Sequence, residues 1–352
     1  MLLSLLDRLL AGKISKTALA FGVVAYQQGD RRAGGRLMGI ASAAAPRNAA
    51  LQSYGAAAAA NAGDHARALQ LLERALRQDP DHSDFVLQAA LAQRALGDET
   101  GAALRCAQAI ERMSDRDPGY VLTNLLTQLR MPGPVYLEHL ATIQGRLQPR
   151  TYVEIGVAAG ASIVLAGPAT RVIGIDPAPE IRCSLPPNTT VFRQTSDEFF
   201  AGHDLRQLLG GLPVDLAFID GMHLFEFVLR DFINLEKHCD AGSTILLDDC
   251  WPLDRRTAAR ERTTQFWSGD VWRILPVLRK YRPDLRIRTI ATAPAGLCVV
   301  RGLDPGSRVL SEKYADIVRE FSALDYAGFD SNRDTYLSPC QNDLECVKEI
   351  LA

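Results

Sequence analysis

T-Y-V-E-I-G-V-A-A-G-A-S, Thr151 to Ser162, with I-G-I-D closing at Asp176, decides how this chain is read. An apolar run ends in Glu154, a turn carries Gly156 and Gly160, and a second apolar run ends in Asp176. That is the sequence shape of a nucleoside-binding crevice in a doubly wound α/β sheet. Three readings compete for it. A dinucleotide site asks for G-x-G-x-x-G, so that backbone and helix N-terminus can meet a pyrophosphate. Only two of those glycines are present, and a carboxylate at the mouth of the turn repels phosphates. A P-loop fits worse, because no G-K-[ST] follows. S-adenosylmethionine carries a cationic sulfonium and an ammonium instead, and Glu154 attracts both. Asp176 lies twenty residues past Gly156, where a ribose-binding acid is expected. The bland alternative is a tight turn with no ligand.

Short apolar or β-branched runs bounded by Gly, Pro or Asp predict strands at 151–156, 171–176, 189–193, 214–219 and 243–248. Helices are expected in the intervals, so the sheet is parallel at its core. Arg286 to Thr292 and Gly296 to Arg301 read as a terminal hairpin. Ligands of open α/β sheets bind beyond the carboxyl ends of the strands. Glu154, Asp176, Asp220, Asp248 and Asp249 all fall at such ends. Carboxylates so crowded repel one another unless cations sit among them.

The segments V-E-I-G-V-A-A-G-A-S (153–162), V-I-G-I-D-P (172–177), D-L-A-F-I-D-G-M-H (215–223) and G-S-T-I-L-L-D-D (242–249) widen the pattern. In that order and spacing the chain resembles class I methyltransferases that use S-adenosylmethionine. It is most similar to the bacterial branch with sugar O-methyltransferases and cephalosporin-hydroxylase-like proteins. The resemblance runs roughly from Pro149 to Leu303 and implies a Rossmann-like sheet, mostly parallel, with an antiparallel last strand. It also implies that the Gly156–Gly160 turn passes under the methionine part of the cofactor and that Glu154 orients its amino group. Asp176 would bind both ribose hydroxyls, since a carboxylate accepts two hydrogen bonds at once. Ser162 either caps the next helix or touches the cofactor carboxylate. Ser196 and Asp197 either meet the adenine or only cap a helix. Asp220 could instead hold the cofactor ammonium.

Metal-dependent O-methyltransferases of the catechol and macrolide-sugar type carry an acid after the fourth strand and an acidic pair after the fifth. Asp220, Asp248 and Asp249 match those places, and hard oxygen ligands suit Mg²⁺ or a similar divalent cation. Such an ion lowers the pKa of the reacting hydroxyl and positions it for in-line displacement. The catechol type has Asp-Asn at the pair, whereas Cys250 follows Asp249 here. His223 is read as a general base or a partner of Asp220, against a helix-end histidine without chemistry. Asp220, His223 and Asp249 form the catalytic expectation. The loop from Pro252 to Asp270 holds Arg255, Arg256, Arg260, Arg262 and Trp267, with Trp272 beyond it. It reads as an acceptor lid, or blandly as a solvated helix followed by core tryptophans.

The N-terminal part has a period. Gly29, Gly63 and Gly97 are spaced by 34, as are Ala41, Ala75 and Ala109, and Gly34, Ala68 and Ala102. Gly22, Ala56 and Ala90 keep the step, and so do Pro46 and Pro80. This is the tetratricopeptide period, with small residues where paired helices cross. Three degenerate hairpins are expected at 15–48, 49–82 and 83–116, against a generic alanine-rich bundle. One hairpin cannot bury both faces, so neighbours stack. The implied division is helical repeats over 1–120, a linker and lead-in helix over 121–150, a catalytic domain over 151–303 and an extension over 304–352.

A chain of 352 residues has the length of two domains, and its net charge of −2 gives no electrostatic reason to bind nucleic acid. Seven cysteines without C-x-x-C spacing point to a reducing, cytoplasmic setting and away from a disulfide framework. No apolar run reaches the length of a membrane span. Leu2, Leu5, Leu6 and Leu9 lie at helical spacing and predict an amphipathic first helix rather than a leader. The expectation is an O-methyltransferase acting on a hydroxylated small molecule, sugar or glycan precursor, with a possible protein partner on the repeats and a possible homodimer. The competing expectation is a repeat scaffold with an inactive methyltransferase-like domain.

Overall fold

The computed structural model describes residues 2–352, with side chains from residue 12 onward. The apolar face expected on Leu2, Leu5, Leu6 and Leu9 lies outside those side chains. The chain divides into two units, Met1–Arg130 and Met131–Ala352.

The first unit is all helical: α1 (Leu2–Gln27), α2 (Arg31–Ala44), α3 (Ala49–Asn61), α4 (His65–Leu76), α5 (Ser83–Ala95), α6 (Glu99–Arg112) and α7 (Tyr120–Arg130). The first six form three antiparallel hairpins, and α7 packs on α5 and α6. The 34-residue step is written into the backbone. Gly29, Gly63 and Gly97 turn each hairpin with φ of 90°, 82° and 84°, a region that costs glycine nothing. The next residue in each repeat, Asp30, Asp64 and Asp98, accepts a hydrogen bond from the second helix at 2.9 Å. Such a cap contributes about 1 kcal/mol. Sequence reasoning passed over this aspartate column, although it keeps the same period.

The small-residue columns mark helix crossings. Ala41, Ala68, Ala75, Ala102 and Ala109 are each at most 1% exposed. A Cβ on Gly34 would stand 2.9 Å from the Gly22 carbonyl oxygen, so α1 and α2 touch backbone to backbone there. The unit is a tetratricopeptide-like stack, as the period predicts. Larger side chains in these columns must push helices apart. Ala75→Leu is therefore expected to destabilise the stack by ~1–3 kcal/mol, read as faster amide exchange in α3–α6. Leu104→Ala, at a position 57% exposed, should change exchange little.

The second unit opens with α8 (Tyr136–Leu147) and is built on one eight-stranded sheet. Its strands are β1 (Thr151–Ile155), β2 (Arg171–Ile175), β3 (Thr189–Phe192), β4 (Leu216–Ile219), β5 (Thr244–Leu247), β6 (Arg286–Ile290), β7 (Leu297–Arg301) and β8 (Pro339–Cys340). The order is β3-β2-β1-β4-β5-β7-β6-β8. The strands β1 to β5 pair in parallel, and β7 runs antiparallel between β5 and β6. This is the mostly parallel, Rossmann-like sheet of the methyltransferase fold class.

Both faces are covered, which a parallel sheet requires. Along β1, Val153 and Ile155 join one core while Tyr152 joins the other, following the period of two. The helices α9 (Ser196–Gly202), α10 (Leu205–Leu208), α11 (Phe225–Glu236) and α12 (Ile274–Tyr281) succeed one another in the intervals after β3. The first core takes Phe225, Val228, Leu229 and Phe232 from α11 and Ile274 and Leu278 from α12. The opposite core takes Leu140 and Ile143 from α8.

Two features depart from expectation. The β1–β2 interval holds only a 3₁₀ turn, Ile163–Leu165, and the β2–β3 interval holds no helix. The β2–β3 connection carries Pro177, Pro179, Pro186 and Pro187, which deny a helix its N–H donors. The C-terminal extension adds α13 (Val309–Glu312), α14 (Tyr314–Ser322), α15 (Tyr326–Asp330), α16 (Arg333–Leu337) and α17 (Leu344–Leu351). It also adds β8 beside β6, and it joins Cys340 to Cys346 by a disulfide, where the cysteine pattern predicts none. Sequence spacing cannot show that the chain folds back to bring these sulfurs together.

Candidate active site at the strand ends

Continuation of the sheet hydrogen bonds brings the acids together. Asp220 N–H donates to Ile155 O at 2.8 Å, Gly156 N–H to Ile175 O at 2.9 Å, and Asp248 N–H to Ile219 O at 3.1 Å. The turn after β1 then crosses the turn after β4. A Cβ on Gly156 would fall 1.8 Å from the Asp220 carbonyl oxygen, so only glycine permits this approach. Gly156, Ala158 and Gly160 have φ of 92°, 44° and 86°.

Glu154 is fully buried. Its two oxygens accept hydrogen bonds from the Tyr152 hydroxyl at 2.5 Å and the Ser162 hydroxyl at 2.6 Å. Burial pushes its pKa up to about 8, against the pull of those two donors, and the nearby Asp220 and Asp176 charges push the same way. Ser162 spends its hydroxyl on Glu154 and makes no side-chain cap. Tyr152 is a site residue that its place in an apolar strand concealed.

Asp176 holds the turn itself. Its Oδ2 accepts from the Val157 and Ala158 N–H groups at 2.9 and 2.8 Å, and its Oδ1 from Ala178 N–H at 2.7 Å. A carboxylate has about four acceptor positions, so gripping both ribose hydroxyls requires one of these bonds to give way. The segment after β2 folds back on the same turn, with Glu180 and Arg182 N–H donating to the Ala158 and Ala159 carbonyls at 2.9 and 3.1 Å. Ser196 and Asp197 open α9. Ser196 hydrogen-bonds the buried Asp231, whose pKa burial carries up to about 7. Asp197 is ion-paired with Arg230 at 2.7 Å. Sequence patterning did not single out Asp231, because it sits on α11 among charged helix residues.

At the ends of β4 and β5 the structure brings together Asp220, His223 and Asp249, whose ligand atoms all lie within 4.8 Å of one another. His223 Nδ1 is 2.6 Å from Asp249 Oδ2, and Nε2 is 3.3 Å from Asp220 Oδ1. Burial opposes the imidazolium, but Asp249 and Asp220 outweigh it and raise the His223 pKa to about 11. In this arrangement the ring holds its proton at neutral pH and bridges two carboxylates. Both His223 and Asp249 have positive φ, 55° and 60°. Strain of this kind in non-glycine residues concentrates at functional sites.

Asp248 is not part of that cluster. It is buried, its Oδ1 has no hydrogen-bond partner among the described residues, and burial lifts its carboxyl well above the usual range. Cys250 is fully buried beside it. Two carboxylates and an imidazole are a chemically suitable set for a divalent ion, although a nitrogen donor suits Mn²⁺ or Zn²⁺ better than Mg²⁺.

The 252–270 loop is fixed in place over His223. The Trp267 and His223 rings stack at 5.6 Å and 12°. A Cβ on Gly269, at φ 63°, would fall 1.9 Å from the His223 carbonyl oxygen. Asp270 accepts the Phe225 N–H at 2.8 Å and so serves the first turn of α11. Arg260 pairs with Glu226 and, at 3.4 Å, with Asp270. The Arg262 guanidinium lies 5.8 Å from the Trp267 ring centre. Trp272 is core, with its indole N–H on the Ala258 carbonyl at 3.0 Å. Trp267 alone of the two tryptophans reaches His223.

Residues 153–250 match the family model of a methyltransferase domain, a span that includes Glu154, Asp176, Asp220, His223 and Asp249. The match supports S-adenosylmethionine-dependent methyl transfer. No curated protein matches the chain. Among solved structures, cofactor-bound Rv0187 from MTB is similar at 18% identity and TM-score 0.38, over 51% of this chain and 87% of that one. The Sgt2 TPR domain from Aspergillus fumigatus is similar at 25% identity and TM-score 0.30, over 33% and 76%. The second TPR domain of human RPAP3, solved with an HSP70 peptide, is similar at 16% identity and TM-score 0.31, over 34% and 98%.

The buried Glu154 has a measurable consequence. Its folded pKa of about 8 lies above the unfolded value of ~4.3. Its contribution to stability is therefore fully present below pH ~4 and is lost as pH rises through about 8. Glu154→Gln removes that dependence. Thermal melts of the second unit should show the variant gaining on the parent as pH climbs from ~4.5 to ~8.5. A gap that stays constant with pH would show that Glu154 is ionised throughout.

Proposed function

We propose that the second unit is an S-adenosylmethionine-dependent O-methyltransferase, metal-assisted, acting on a hydroxylated small molecule, sugar or glycan precursor. The observation that carries the reading is the Asp220–His223–Asp249 cluster, held against the Gly156 turn by the contact between Gly156 and Asp220. Glu154, Gly156, Gly160, Ser162 and Asp176 would hold the cofactor, with Ser196 and Asp197 at its adenine end. Asp220 and Asp249 would hold a divalent cation, with Asp248 behind them and His223 beside them as the base.

Bound S-adenosylmethionine supplies an electrophilic methyl group, and a divalent ion acidifies a coordinated hydroxyl. The chain's own residues do the rest. Glu154, neutral when the crevice is empty, ionises against an incoming ammonium and so couples cofactor binding to proton release. Trp267 and the Gly269 contact hold the His223 ring in place. Once Asp220 and Asp249 are engaged elsewhere, His223 loses the charges that hold its proton. Its pKa then falls toward the range in which it accepts the acceptor's hydroxyl proton. The cofactor would give its methyl group to the acceptor oxygen and leave as S-adenosylhomocysteine, with the hydroxyl proton taken by His223.

The first unit supports a second role, recruitment of a protein partner by the helical stack. A cytoplasmic location is proposed from the five free cysteines, four of them buried; the Cys340–Cys346 disulfide counts against it. A scaffold whose methyltransferase-like domain binds cofactor without turnover, or binds none, is the competing reading, favoured by the three backbone bonds that occupy Asp176.

Calorimetric titration with S-adenosylmethionine, with and without Mg²⁺ or Mn²⁺, tests the proposal. Micromolar binding is expected, with proton release into the buffer near pH 7. Asp249→Ala should keep cofactor binding and lose at least ~100-fold in turnover with a hydroxylated acceptor. Absence of cofactor binding under every metal condition would leave the scaffold reading in its place.

A further inference from the structure

Helix α11 grips the opening turn of α9 with two neighbouring residues. Arg230 donates from its Nε and one terminal nitrogen to the Asp197 carboxylate at 2.8 and 2.7 Å. Asp231 turns inward and is hydrogen-bonded to Ser196. Asp197 keeps 44% of its side chain in solvent, whereas Asp231 is 2% exposed. The Asp231 Oδ2 approaches the turn after β4, where a Cβ on Gly221 would stand 3.9 Å from it. Asp231 thus lies between the residue that opens α9 and the residue that follows Asp220. Methyl transfer as derived from the acid cluster leaves it unused.

A carboxylate buried so deeply is stable only with a cation or several donors. Ser196 gives Asp231 one hydroxyl. The cation beside it, Arg230, is spent on Asp197 and on the Tyr314 hydroxyl at 2.7 Å. The Asp197 charge disfavours a second anion. Arg273, in the 3₁₀ turn packed on α11, is paired with Asp270 at 3.3 Å. From β4 and α12 the shared core takes Ala217, Ile219, Ile274 and Leu278, which bring no charge. Burial accordingly pushes the Asp231 carboxyl up to about 7, so it gains and loses its proton near neutral pH.

The proton has a consequence for Ser196, which is half-buried and owns a single hydroxyl hydrogen. A protonated Asp231 donates to Ser196 Oγ and leaves the serine hydrogen free for the crevice. An ionised Asp231 accepts that hydrogen, and Ser196 then offers lone pairs alone. Adenine presents bare ring nitrogens as acceptors and one amino group as donor. The Asp197 carboxylate, an acceptor reaching solvent, suits the amino group. Ser196 is left to a ring nitrogen, for which it needs its hydrogen.

We infer that Asp231 is a positioning residue for the base of the cofactor: through Ser196 it decides whether the adenine end of the crevice offers a hydrogen-bond donor. The inference rests on the reading of the crevice as an S-adenosylmethionine site with Ser196 and Asp197 at its adenine end.

The test is calorimetric titration of the full chain with 5′-methylthioadenosine from pH ~5.5 to ~8.5. This probe has the adenine and ribose of the cofactor but neither its ammonium nor its sulfonium, so it does not engage Glu154. Its affinity should be highest in acid and fall about ten-fold as pH rises through about 7. Binding should take up protons, opposite in sign to the release expected at Glu154. Asp231→Asn, whose amide donates to Ser196 Oγ at every pH, should bind as tightly as the parent does in acid and lose the dependence. Ser196→Ala should bind weakly throughout, also without dependence, and it decides the matter if Asp231→Asn does not fold. With S-adenosylmethionine the readout is the difference between the parent and Asp231→Asn profiles, in which the Glu154 contribution cancels. A flat parent profile, or a slope that persists in either variant, overturns the inference and leaves the cofactor reading standing. Failure of both ligands to bind overturns the two together.

Discussion

Five carboxyl groups crowd the carboxyl edge of one parallel sheet, and the second unit is organised around their mutual repulsion. Each is handled differently. Glu154 takes a proton, its pKa pushed up to about 8 by burial. Asp248 is driven the same way, well above its usual range. Asp176 accepts hydrogen bonds from three backbone N–H groups. Asp220 and Asp249 share the His223 imidazolium. Positive charge placed among such acids relieves their mutual repulsion.

That arrangement depends on close backbone contacts. Gly156 lets the first turn touch the Asp220 carbonyl, and Gly269 lets the 252–270 loop touch the His223 carbonyl. The loop then binds the start of α11 through Asp270 and stacks Trp267 on the imidazole. Helix, loop and strand end therefore share one frame. His223 and Asp249 can be kept at positive φ because neighbours on three elements hold them there.

Much of this was legible in the chain. The strand windows, the helical period of 34 and the address of each acid at a strand end follow from patterning, because side-chain periodicity is local physics. The glycine column of that period marks the three hairpin turns, where the backbone takes a positive φ. The single 3₁₀ turn after β1 was not legible, and neither was the bonding of Ser162 to Glu154 in place of a cap. Both depend on groups distant in sequence. The disulfide Cys340–Cys346 escaped for the same reason, as did Asp231 and Tyr152, whose roles come from their surroundings rather than their neighbours in sequence.

Sequence alone determined the two-part architecture, the fold class and the set of acids at the crevice, since repeats and strand–turn patterns are properties of short segments. Only the tertiary structure decided which acids act together. It joined Asp220 and Asp249 through His223, left Asp248 outside that cluster, and set Trp267 rather than Trp272 against His223. Protonation state and partnership depend on distance and solvent exclusion in three dimensions. A linear order of residues carries neither.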